Sequence, residues 1–147
     1  MDTGGKIRTG KILEELNRLD SVTLVCHVES PQDQPYLGEM PRLCREFVPV
    51  SWKEIPKFSF WFYWRCLIGL FSRYPITVLN DFDKGLQTTV RELVQKKTFD
   101  VLVCDFLQPS LNVMGLDGIP TILFQHNVEA EIPYRHYLHA PWFLKWF

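Results

Sequence analysis

Phe99-Asp100-Val101-Leu102-Val103-Cys104-Asp105 is a short, valine-rich apolar run that closes on a carboxylate. A run of this length, bounded by polar residues, suits a strand covered on both faces, as in a parallel sheet. Two other stretches share its character: Val22-Thr23-Leu24-Val25-Cys26-His27-Val28 and Thr121-Ile122-Leu123-Phe124. The last runs straight into the polar cluster Gln125-His126-Asn127-Val128-Glu129. Phe47-Val48-Pro49-Val50 reads as a shorter strand, and its proline argues for a sheet edge. Helical patterns lie between the strands. Over residues 6–19, Ile12, Leu13, Leu16 and Leu19 share one face, with Glu14 and Glu15 on the wet side. Over residues 82–97, Phe82, Leu86, Val90, Leu93 and Val94 gather on one side, with Asn80 or Asp81 as N-cap. Residues 36–45 and 109–114 read as short helices, and Gly118-Ile119-Pro120 as a turn. Helices alternating with apolar strands define the class as α/β, a parallel sheet with flanking helices, in one domain.

In such sheets ligands gather at the carboxyl ends of the strands. Three polar groups are expected there. Asp105 and the His126-Asn127-Glu129 cluster follow strands. The third is the head of the chain, Asp2-Thr3-Gly4-Gly5-Lys6-Ile7-Arg8-Thr9. Its glycine pair reads as a turn feeding a helix, which aims backbone N–H groups and the positive end of the helix dipole at a ligand. Lys6 and Arg8 add full positive charges beside it.

Bulk properties exclude several classes. The net charge of -1 provides no basic field for nucleic acid. The four cysteines, at 26, 44, 66 and 104, form no CxxC pair, and no His or Cys set has zinc spacing, so neither a metal nor a cofactor is expected. Cys26 and Cys104 fall in strand-like runs and read as buried free thiols of a reducing compartment. No apolar segment of signal-peptide type follows the first charges. The expected location is cytoplasmic, with peripheral contact at the inner face of a membrane.

That contact is read from residues 58–71, Phe-Ser-Phe-Trp-Phe-Tyr-Trp-Arg-Cys-Leu-Ile-Gly-Leu-Phe, whose single charge is Arg65. The run is too short to span a bilayer, which takes about 20 apolar residues. One reading is a helix packed inside the domain. The other is an interfacial helix, with Trp and Tyr at headgroup level and Lys53, Lys57, Arg65 and Arg73 around them.

Taken together, the Gly4-Gly5 head, the strand ending at Asp105 and the His126-Asn127-Val128-Glu129 segment resemble the N-terminal, acceptor-side domain of GT-B glycosyltransferases of the group 1, family 4 type. In particular, they are similar to bacterial sugar transferases with a Gly-Gly-x-x-Arg loop and a His-Asn-x-Glu segment. The resemblance runs the length of the chain. It implies retaining transfer of a hexosyl group from a nucleotide-sugar donor to a hydroxyl of a sugar or lipid-linked acceptor. It also implies two Rossmann-like domains, the second holding the donor. Against that pattern, residues 1–147 read as a single incomplete domain without the donor-binding half and without the first, central strand of the sheet. The chain by itself is therefore expected to be inactive.

The resemblance marks Asp105 and His126 as catalytic candidates and Gly4, Gly5, Lys6, Arg8, Asn127 and Glu129 as substrate-binding ones. Each has a structural alternative. The glycines could serve a turn needing positive φ, and Lys6 and Arg8 could be solvated surface charges. Asp105 could cap the turn that follows it, and Asn127 a helix starting near Glu129. His126 could be a wall residue. Two other function classes remain open: a non-catalytic or split-enzyme subunit that binds acceptor or membrane and borrows a donor domain, and a stand-alone nucleotide-binding protein.

Overall fold

The computed structural model describes residues 4–29, 31, 33–53, 55, 56, 58–69, 71–125, 134, 137–139 and 141. The chain opens with helix α1 (Gly4–Leu19) and continues into strand β1 (Thr23–Val28). A 3-10 turn (Gln34–Glu39) and the short helix α2 (Met40–Leu43) lead to β2 (Glu46–Ser51). Three helices follow: α3 (Phe60–Gly69), α4 (Ile76–Asn80) and α5 (Lys84–Lys96). Then come β3 (Leu102–Asp105), α6 (Ser110–Val113) and β4 (Thr121–Phe124). The class is mixed α/β with parallel strands.

The sheet comes in two pieces. β1 pairs with β2 in parallel, from Thr23 opposite Glu46 to Val28 opposite Ser51. β3 pairs with β4 in parallel, from Leu102 opposite Thr121 to Asp105 opposite Phe124. No ladder joins β1 to β3 among the described residues. β2 has β1 as its one described neighbour, so Pro49 sits on an edge strand, where a missing donor is tolerated.

The strands are less covered than their composition predicts. Every residue of β1 is half-buried, and Thr121, Ile122 and Leu123 of β4 are exposed. The physical reason is the split: a two-stranded piece has two edges and too little width to be roofed on both faces. For the same reason Leu16 and Leu19, expected on the inner face of α1, stand exposed at 42% and 79%. Among the described residues the buried apolar side chains are Leu43, Cys44, Val78, Leu86, Val90 and Cys104.

α5 is the helix that the local sequence specifies best. Asp83 is its N-cap, not Asn80 or Asp81, and its carboxylate accepts from the amides of Gly85 and Leu86, both at 3.0 Å. A Cβ at Gly85 would meet an Asp83 carboxylate oxygen at 3.2 Å, so a glycine that weakens the helix interior admits the cap here. Leu86 and Val90 then face the β1–β2 sheet, on which α5 packs. Its far end is tied to β2 by Lys97, whose ammonium donates to the Glu46 carboxylate at 2.6 Å.

Asn112 of α6 is 1% exposed and hydrogen-bonded on both sides. Its Oδ1 accepts from the Asp83 amide at 2.9 Å and its Nδ2 donates to the Asp81 carbonyl at 3.0 Å. One side chain thereby fastens α6 to the link between α4 and α5.

Candidate functional site at the carboxyl rim

The site is built where α1 meets the ends of β3 and β4. The Thr9 hydroxyl donates to Asp105 Oδ2 at 2.8 Å, across 96 positions of sequence. One residue earlier, the Arg8 guanidinium lies 5.8 Å from the centre of the Phe124 ring. Phe124 is the last residue of β4, as Asp105 is of β3. Two successive side chains near the head of α1 therefore touch the carboxyl ends of two neighbouring strands.

The backbone there is strained. Phe106, directly after Asp105, takes φ of 72°, a left-handed conformation that costs a bulky residue about 1–3 kcal/mol. Its amide donates to the Phe124 carbonyl at 2.9 Å, extending the β3–β4 ladder by one bond. The turn holds the Asp105 carboxylate at the rim beside Thr9.

The glycine pair differs from expectation. Gly4 and Gly5 form the first turn of α1 itself and not a loop ahead of it. They therefore need no positive φ; the glycines that take one are Gly115 and Gly118. What this end of α1 offers is the set of N–H groups of a helix N-terminus, which have no intrahelical partners. His126, Asn127 and Glu129 lie outside the described residues, as do the side chains of Gly4, Gly5 and Lys6. Of the expected set, the structure brings Arg8 and Asp105 to one place and adds Thr9. That threonine carried no motif of its own; only the fold reveals it as the partner of a residue near the other end of the chain.

A second polar constellation lies on the β1–β2 piece. His27 stacks on Trp52 with centroids 4.3 Å apart and planes 14° from parallel. Its Nε2 lies 3.4 Å from Asp83 Oδ2, outside good hydrogen-bond geometry. Partial burial acts to raise the Asp83 pKa, but the Gly85 and Leu86 amides and the imidazole outweigh it, and the carboxyl is held below its ordinary value. His27 thereby seats β1 against the start of α5.

Cys26 and Cys104 are not poised as nucleophiles. All four cysteines are free. Burial, then nearby Asp33 and Cys44, pushes Cys26 up to about 11. Burial, then Asp105 and Asp81, does the same to Cys104. Thiols so placed stay protonated at neutral pH. A depression of about 250 Å³ lies between α6 and the β3–β4 strands, lined by Cys104, Val113, Met114, Thr121 and Leu123 among others. None of Arg8, Thr9 and Asp105 lines it. Among the described residues no cluster of three or more His, Cys, Asp and Glu could hold a metal ion.

No protein-family model matches the chain, and comparisons with curated proteins and with solved structures find no match either. Fold and site together define a mixed α/β protein with a polar rim at the carboxyl ends of parallel strands.

Proposed function

We propose that this chain is the acceptor-side part of a retaining GT-B glycosyltransferase, with the acceptor bound at the rim formed by the head of α1, Asp105 and the segment after Phe124. The observation that carries the reading is the Thr9–Asp105 hydrogen bond at 2.8 Å, with Arg8 over Phe124 beside it. It gathers at one rim Arg8 and Asp105, two of the residues that the resemblance marks, with Thr9 and Phe124 beside them. The two parallel pairs support the reading too. A doubly wound sheet of order 3-2-1-4-5 has one such pair on either side of its first strand.

In this reading Asp105 orients an acceptor hydroxyl whose oxygen bonds to the anomeric carbon on the face from which the nucleoside diphosphate departs; the sugar–phosphate bond breaks, the hydroxyl proton passes to Asp105, and Thr9 fixes the carboxylate. His126 and Glu129 hydrogen-bond the sugars. Arg8 and the amides of α1 face the donor phosphates across the cleft. The second domain would hold the nucleotide. Exposed Val103, Ile122 and Leu123 favour a further apolar partner surface, which suits a split-enzyme subunit equally well.

The test is amide NMR of the chain titrated with methyl glycosides and, separately, with UDP- and GDP-sugars. Glycosides should shift the resonances of Thr9, Asp105 and Phe106, and Asp105→Asn should weaken that binding without altering the fold. The chain by itself should release no sugar from either donor. Robust release, or glycosides that leave all three resonances unmoved, would sink the proposal. Nucleotide binding that is lost on Gly5→Trp, with no response to glycosides, would favour a stand-alone nucleotide-binding protein instead.

A further inference from the structure

We infer that α3 is a membrane-docking helix, seated in the interfacial region of an anionic lipid bilayer. The first observation is how its exposure is distributed. At 100° per residue, Tyr63, Leu67, Phe60, Trp64, Ile68 and Trp61 fall within one arc of about 160°. All six are exposed, from 48% at Trp64 to 74% at Phe60. Arg65, Gly69, Phe62 and Cys66 fill the opposite arc, and all four are half-buried.

The packed arc is fixed against α4. Arg65 donates to the Asn80 carbonyl at 3.4 Å. A Cβ at Gly69 would come within 2.9 Å of the Ile76 side chain, so the two helices meet closely there. The helix thus turns its one charge and its smallest residue inward and its largest apolar residues to the outside. This inverts the ordinary amphipathic pattern of a surface helix. Rotation cannot correct it, because the α4 side is tied.

The second observation is charge. Between Glu54 and Asp81 the sequence has no Asp or Glu. With Arg65 turned inward, the described basic side chains exposed on either side of α3 are Lys53 and Arg73. Phe71, beyond the end of α3, is 89% exposed. Two residues on, the Arg73 guanidinium lies 4.9 Å from the Tyr74 ring centre and donates to its hydroxyl at 2.7 Å. An apolar prominence of Phe, Trp and Tyr, with exposed basic residues on either side of it in sequence, suits the interface of an anionic bilayer, whose headgroup layer takes Trp and Tyr rings and attracts Lys and Arg. The geometry also sets the depth. α3 has 10 residues, about 15 Å in length, against a hydrocarbon core of about 30 Å. No described helix is long and apolar enough to cross a membrane. The helix therefore lies in the plane of the interface.

Vesicle flotation tests this, with phosphatidylcholine vesicles containing phosphatidylglycerol compared with phosphatidylcholine alone. The chain should float with the anionic vesicles, and its tryptophan emission should shift to the blue. Trp61→Ser with Trp64→Ser should weaken partitioning roughly tenfold or more, since each removes a large interfacial ring. The far-ultraviolet circular dichroism and Tm should be unchanged, because both rings are exposed. Arg73→Glu should weaken binding to anionic vesicles, with high salt doing the same to the unaltered chain. The inference fails if the unaltered chain floats with neither vesicle, or if the double replacement floats as well as the original. It also fails if the rings instead mediate a dimer, seen by sedimentation, that the double replacement dissolves while no vesicle is bound.

Discussion

Asp83 shows how one carboxylate can serve three elements. It caps α5 through two amides, faces His27 of β1, and its own amide is held by Asn112 of α6. Asp83→Ala should cost about 1 kcal/mol through the lost cap, read as a lower urea midpoint at pH 7. The pH dependence has a defined sign. Because the folded Asp83 pKa lies below its reference of 3.8, its contribution is present above about pH 4 and lost as pH falls through the folded value. The deficit of Asp83→Ala should therefore shrink in acid. Asp81 behaves oppositely: burial, partly offset by His27, raises its pKa. Its contribution is present below the 3.8 reference and lost as pH rises through the raised value, so ionised Asp81 is a burden at neutral pH. Asp81→Asn should raise the midpoint at pH 7; an unchanged or lower midpoint would show that its carboxylate carries no such penalty.

Among the elements, the α4–α5 link is fastened by Asn112 through two hydrogen bonds. Asn112→Ala leaves the Asp83 amide and the Asp81 carbonyl without their partner and should destabilise the chain by about 2 kcal/mol or more. Asn112→Leu, similar in volume but unable to hydrogen-bond, should cost as much; a wild-type midpoint for either would assign that fastening to other contacts. The elements themselves were legible to different degrees. β1, β4 and the body of α5 follow from runs and periodicity that need no partner to be read. The cap lies two or three residues beyond the expected Asp81 or Asn80, because Asn80, Asp81 and Asp83 are all good capping types and only backbone geometry chooses among them. The glycine pair is helical and not a turn, although glycine marks turns in most sequences, because helical hydrogen bonding begins two residues sooner. The expected inner face of α1 holds at Ile12 and Leu13, both half-buried, but Glu14, expected on the wet side, is half-buried with them. The expectation fails at Leu16 and Leu19 because burial depends on what is present to cover them.

At the scale of the molecule the central fact is the split sheet. The head of α1 lies at the carboxyl end of β3. In the proposed reading, a strand entering α1 runs parallel to β3, beside the edge at which no described ladder forms. An apolar strand of about five residues placed ahead of Gly4 should join β1 to β3. It would gain several ladder hydrogen bonds at about 1 kcal/mol net each, together with roughly 1.5–3 kcal/mol for each well-buried side chain. Against a usual margin of about 5–15 kcal/mol, the expected outcome is a large rise in Tm and slowed amide exchange along Val25, His27 and Val103. An extension that leaves Tm and those amides unchanged would mean that the two pieces are not halves of one sheet.

The sequence by itself determined the alternation of helix and strand, the parallel direction of the strands, the edge position of Pro49 and the free thiols. These follow from local periodicity, chain length between runs and residue chemistry. Tertiary structure alone decided that Thr9 pairs with Asp105, that Asn112 is the buried fastening, and that the broad aromatic face of α3 turns outward. Each of these joins or separates residues far apart in the chain. Periodicity can say that a helix has an apolar face; only packing against α4 says which way that face points.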